Sequence, residues 1–146
     1  MYSDNNRMLS MNNFFTKDDL ISAYTRTQAI EDGTLVDVTE TAQEAGIRFP
    51  VALTHAVYED CVAWSADDAK RSRWPQDESG RLWDVIWLLF LAMRSAKGQQ
   101  SGTIFQLQRI PRPGSKSKTK KVQLRAVVSG GDNGEPVITV MLPNED

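Results

Sequence analysis

The chain is expected to fold as α+β, with N-terminal helices and a central apolar helix packed on a C-terminal three-stranded antiparallel meander. Three observations carry that expectation. Apolar residues recur at helical spacing through the first two thirds of the chain. Residues 103–142 switch to β-branched and alternating patterns. Between them lies the longest apolar run, the nine residues from Val85 to Met93.

The elements follow in order. Thr16 before Lys17, Asp18 and Asp19 reads as a helix start, since a hydroxyl caps free amides and carboxylates complement the positive end of the helix dipole. Leu20, Ile21, Tyr24 and Gln28 mark one face, and Gly33 supplies a left-handed exit, which places a helix over about 17–31. Leu35–Val38 is a short β-type run, and Thr39 opens a brief helix ending at Gly46. Phe49–Leu53 is ambiguous, because Pro50 suits a helix start or a strand edge. A helix is expected over 54–64, with Val57, Tyr58, Cys61, Val62 and Trp64 inward.

Residues 65–79 read as a polar, solvent-facing connector whose charge changes sign along its length. Ser79 is the expected cap of the strongest helix, Gly80 to about Lys97. Its apolar content surrounds nearly every face, so it is expected to be buried, either as the central core helix or within an oligomer interface. The strands Thr103–Ile110, Lys121–Val128 and Val137–Leu142 follow. In the middle one Val122, Leu124, Ala126 and Val128 alternate with Lys121, Gln123 and Arg125. Gly130, Gly131 and Gly134 suit the tight reversal between the last two.

With 146 residues, 25% charged and 40% hydrophobic, the chain fits one domain, expected over 16–146 behind a flexible tail at 1–15. No apolar stretch approaches the ~20 residues of a membrane span, and residues 1–13 lack a signal-peptide core, so a cytoplasmic location is expected. One Cys and one His exclude a disulfide framework and a Cys/His zinc cluster, and no cofactor is expected.

Catalytic arrangements are weakly represented. His55 and Cys61 lie about 120° apart on a helix, and Glu59 and Asp60 disfavour a thiolate, so Cys61 reads as a small buried apolar residue. Glu40 and Glu44 share a helix face but find no partner set for a metal. No phosphate-binding glycine loop, nucleophile elbow or zinc-protease element occurs.

Charge is segregated behind a net −2. Residues 1–69 hold four Lys/Arg against twelve Asp/Glu, residues 70–125 thirteen against three, and residues 126–146 none against four. The basic part contains Arg71, Arg73 and Trp74 and, further on, Arg112, Lys116, Lys118, Lys120 and Lys121. A basic hairpin on a sheet can hold a nucleic-acid backbone by counterion release, with Trp74 as a stacking surface. The competing reading pairs the basic loop with the acidic segment of the same chain or of a neighbour.

Four stretches, AYTRTQAIEDGTLVDV (23–38), GIRFPVALT (46–54), DESGRLWDV (77–85) and GEPVITV (134–140), together resemble a family of uncharacterised small proteins encoded on bacterial plasmids, integrative elements and prophages. That resemblance implies an accessory gene of mobile DNA, with a role in element maintenance or in countering host defence, as an anti-CRISPR-like or anti-restriction-like inhibitor. It implies no activity and no site residues. Arg26, Asp32, Arg81 and Asp84, the polar members of these stretches, are expected to form an internal network docking the first helix on the central one, because a carboxylate among Trp83 and Trp87 needs a donor.

The favoured function is therefore a non-enzymatic protein that binds a macromolecule, most readily another protein. Nucleic-acid binding through 112–121 is the alternative, an enzyme of unknown class the third reading, and a homodimer is compatible with the apolar helix.

Overall fold

A computed structural model describes residues 24–96, 102–115 and 118–145; the expected tail at 1–15 and the Thr16 cap lie outside the described residues. Helix α1 is Arg26–Glu31. Thr25, in extended conformation, accepts from the Gln28 amide while the Gln28 side chain accepts from the Thr25 amide, a reciprocal capping box that starts the helix there. Of the expected helix over 17–31, positions 17–23 lie outside the described residues, and the described part is helical only from Arg26.

Strand β1, Leu35–Asp37, leads into α2, Thr39–Ala45. Gly46 closes α2 at φ 105°, and a Cβ there would meet the Phe90 ring at 3.3 Å, so both backbone and space require glycine. The ambiguous segment resolves as a strand, β2 (Val51–Thr54), with Val51, Ala52 and Leu53 fully buried. An apolar run without alternation suits a strand covered on both faces.

After β2 the chain makes one α-turn, α3 (His55–Val57), which Thr54 caps, and continues as a single π-turn, Tyr58–Val62. Val57, Cys61, Val62 and Trp64 are buried as expected, while Tyr58 is half-buried. The supposed connector contains a helix, α4 (Ala66–Arg71), started by a second capping box between Ser65 and Asp68. Asp68 is buried, not solvent-facing.

Helix α5 spans Glu78–Ala96. Its start is held by Asp77, whose Oδ1 accepts from the Gly80 amide at 2.7 Å, so Ser79 is helical rather than the cap. The first alternative, a core helix covered on all sides within the chain, is corrected. Val85, Ile86 and Leu89 face the core, but Trp83, Trp87 and Leu91 are 38%, 41% and 40% exposed. The helix packs on α2, the π-turn and β3, which cover one side only.

Strands β3 (Gly102–Gln108), β4 (Lys121–Gly130) and β5 (Pro136–Met141) pair antiparallel in sequence order. The sheet is larger than the expected three-stranded meander, and the β-type run at Leu35–Val38 joins it as β1. β2 adds parallel to β5, with Val51 opposite Ile138 and Leu53 opposite Val140, and β1 pairs antiparallel with β2. The result is a five-stranded mixed sheet of order β1-β2-β5-β4-β3. Its central position explains why β2 and β5 carry apolar residues on both faces: Ile138 and Val140 are as buried as Val137.

Candidate functional site

Two basic segments some forty residues apart in sequence meet beside the end of β3. Arg71 ends α4 and Arg73 and Trp74 follow it, and Pro111, Arg112, Lys118 and Lys120 belong to the β3–β4 connection; together they line one groove, with no carboxylate among the described residues of its lining. Trp74 is 49% exposed, and the Arg73 guanidinium lies 5.8 Å from its ring centroid. Lys121 begins β4 just beyond the groove, and Lys116 lies outside the described residues.

Part of this charge is neutralised from behind by α4 and the π-turn. Arg112 Nε donates to Asp68 Oδ2 at 2.7 Å and its Nη1 to Glu59 at 3.3 Å, while Arg71 reaches Asp67 at 3.3 Å. Burial opposes ionisation of Asp68, yet hydrogen bonds from Ser65 and Arg112, with the attraction of Arg112, hold its carboxyl below the ordinary range. Among the described residues Arg73, Lys118 and Lys120 have no carboxylate partner. The intrachain pairing weighed from sequence therefore exists, and it leaves these three cations without a carboxylate, Arg73 over the Trp74 ring and Lys118 donating to the Pro113 carbonyl at 3.4 Å.

Ile110 and Lys120 also line a second concavity of about 310 Å³ between the π-turn, the first half of α5 and the end of β3. Arg81 and Arg109 line it. Arg81 is 3% exposed and donates to main-chain oxygens of Val62 (3.1 Å), Ile110 (2.8 Å) and Asp60 (3.4 Å), and to Gln76 (3.4 Å). Its guanidinium also lies 4.8 Å from the Trp64 ring centroid. Arg109 donates to Asp60 Oδ1 at 2.9 Å and to the Thr119 carbonyl, and its buried Nε has no partner.

The expected network of Arg26, Asp32, Arg81 and Asp84 is not what these residues form. Arg26 crosses to β5, donating to Thr139 Oγ1 and the Ile138 carbonyl, both at 2.7 Å. Asp32 accepts from Tyr24 and Thr34. Asp84 is exposed at the rim of the concavity and therefore needs no buried donor. Its flanking Trp83 and Trp87 face solvent as well, which removes the premise of a carboxylate in an apolar site.

Cys61 also lines the concavity, at 1% exposure. Burial, and then the Asp60 charge, pushes its thiol up to about 12, so it stays protonated and is no nucleophile at neutral pH. His55 is exposed at the start of α3. Among the described residues no three His, Cys, Asp or Glu side chains converge to hold a metal ion.

Sequence reasoning missed Arg109 and Asp68. Both carried a signal: Phe105, Leu107 and Arg109 share one parity of a strand pattern, which aims Arg109 at the core, and Ser65 with Asp68 is a capping-box spacing.

The fold and clefts define a small α+β protein with one basic groove, and among its described residues no helix is long and apolar enough to cross a membrane. A family model described as a family of unknown function (DUF6573) matches residues 11–146, and the chain belongs to that family. No curated protein and no solved structure matches it.

Proposed function

We propose that the protein binds single-stranded nucleic acid along the groove lined by Arg73, Trp74, Lys118 and Lys120. One observation carries this reading: a half-exposed indole stands among cations from two chain segments, in a groove whose lining contains no carboxylate among the described residues. Cations that follow a phosphate backbone, with an aromatic surface for bases, are the two elements of sequence-tolerant strand binding. Binding of this kind fits the mobile-DNA setting implied by the sequence resemblance.

The test is fluorescence anisotropy with a labelled single-stranded oligonucleotide across a salt series. Joint replacement of Arg73, Lys118 and Lys120 by Ala is expected to flatten the logarithmic salt slope by about 2, at ~0.7 per neutralised phosphate. Trp74→Ala is expected to weaken binding by about 1–3 kcal/mol. No binding at low salt, or binding indifferent to both variants, overturns the reading.

Protein binding is the second reading. It is favoured by the exposed ridge of Trp83, Trp87 and Leu91 on α5, an apolar surface of the kind that marks interaction sites.

A further inference from the structure

We propose that the concavity beside the groove binds a nucleoside phosphate monoester, with the phosphate towards Arg81 and Arg109 and the nucleoside towards Asp84.

The first argument is an imbalance of buried charge. Two buried guanidinium groups, Arg81 at 3% and Arg109 at 7% exposure, have one carboxylate in bonding contact, Asp60 on Arg109, while the second nearby carboxylate, Asp84, is exposed in the lining. Arg81 is held by carbonyl oxygens and one amide oxygen, with no carboxylate partner among the described residues. Hydrogen bonds to neutral oxygens satisfy its N–H groups without placing a counter-charge on them. Burial pushes this guanidinium below its ordinary value; Arg109 and Arg112 push it the same way, and Cys61 and Asp60 oppose them. An anion placed here would relieve all three arginines.

A second, independent observation is the Arg109 Nε–H. It is buried and without a partner among the described residues, on a residue that lines the concavity. Buried donors in native structures almost always have an acceptor.

Size and chemistry then narrow the ligand. A cavity of about 310 Å³ lies at the lower end of small-molecule sites and exceeds what a bare phosphate needs. The cationic residues are buried, whereas Asp84 is exposed and would repel a simple anion approaching it. A phosphate monoester answers both: its dianionic head suits the arginines, and its sugar hydroxyls or base amino groups can donate to Asp84. Gln76 and Gln108 add amides that can donate or accept.

The monoester has two sources, a free mononucleotide or the phosphorylated end of a strand lying in the groove. Lys120 and Ile110 line both clefts, which places the concavity beside the groove that would hold such a strand. The strand-end arm rests on the groove reading above; the mononucleotide arm does not.

Gln108→Glu is the discriminating variant, because Gln108 is exposed, lines the concavity and is not among the groove residues. Isothermal titration with AMP and with inorganic phosphate, and anisotropy with 5′-phosphorylated and 5′-hydroxyl oligonucleotides, are measured on the full chain, wild type and variant. AMP is expected to bind wild type and to lose at least tenfold in the variant, whose unliganded melting temperature matches wild type. Asp84→Asn is expected to tighten inorganic phosphate and to narrow its gap to AMP.

A tenfold preference for the 5′-phosphorylated strand that disappears in Gln108→Glu assigns the site to strand ends. AMP binding with equal affinity for both strands, or with no strand binding at all, assigns it to mononucleotides and would leave this inference standing where the groove reading fails. If neither AMP nor a 5′-phosphate gives binding that Gln108→Glu weakens, the inference is wrong.

Discussion

Arg26 and Arg81 are built alike and sit in opposite electrostatic company. Each reaches from a helix to oxygens of another element: Arg26 to Ile138 and Thr139 of β5, Arg81 to Val62 and Ile110. Burial lowers both guanidinium groups from their ordinary value; around Arg26 only acids act, Asp37, Asp132 and Glu135 raising it back, whereas around Arg81 the pull of Cys61 and Asp60 is opposed by Arg109 and Arg112, which lower it further. Around Arg26 the charge is answered within the chain. Asp132, from the β4–β5 turn, also accepts from the Arg26 and Thr27 amides and the Thr27 hydroxyl, which secures the N-terminus of α1. The contrast teaches that a buried arginine among acids is a dock for its helix, while one among cations keeps a charge in reserve.

The largest expected difference between the two lies in stability. Arg81→Ala leaves the Val62 and Ile110 carbonyls without their donor and is expected to cost about 3 kcal/mol in urea denaturation, at ~1–3 per orphaned buried group. Arg26→Ala removes bonds on a half-buried edge that water can replace, and is expected to cost about 1–2 kcal/mol, with hydrogen exchange rising first in α1. Equal losses would erase the distinction drawn here. A phosphate monoester that protects wild type against unfolding should leave Arg26→Ala equally protected.

Acid sharpens the comparison next. Hydrogen bonds from Tyr24 and then Thr34 hold Asp32 below the ordinary carboxylate range, and bonds from Thr27 and the Arg26 amide do the same for Asp132. A depressed carboxyl contributes stability that is complete above its unfolded value of about 3.9 and is lost as pH falls through the folded value. Stability should therefore drop below about pH 4, with α1 loosening early. Asp132→Asn should make that decline shallower while lowering stability at pH 7. A decline identical in the variant would show that Asp132 does not hold α1 through its charge.

The smallest effect is expected on the outer face of α5. Trp83 stacks on Trp87 with centroids 6.1 Å apart, yet both are exposed, so Trp83→Ser should shift stability by no more than ~0.5 kcal/mol. Loss of a co-purifying protein in that variant, with oligonucleotide affinity unchanged, would move the weight to the protein-binding reading. A loss of several kcal/mol would mean that this face packs against something in the free protein.

Much of this was legible in the residues. Gly46 ends α2, the alternation of β4 survives as a strand, and Val85, Ile86 and Leu89 are core, because local conformation and periodicity depend on neighbours in the chain. The basic residues of the groove were legible as two separate clusters. Their meeting was not, nor was the pairing of Arg112 with Asp68, since contacts across 44 positions leave no spacing to read.

By itself, then, the sequence determined the α+β class, the three C-terminal strands, the burial of Cys61 and the segregation of charge. Each of these follows from composition or from a period of two or 3.6 residues. Only the tertiary structure decided that β2 lies parallel to β5, that α5 exposes Trp83 and Trp87, and that Arg81 points to carbonyls while Asp84 stays in solvent. An apolar residue states that it prefers burial, but how many sides of a helix a five-stranded sheet can cover is set by the packing of the layers. A charged residue likewise announces a need for a partner, and which partner it finds depends on what the fold brings within about 3 Å.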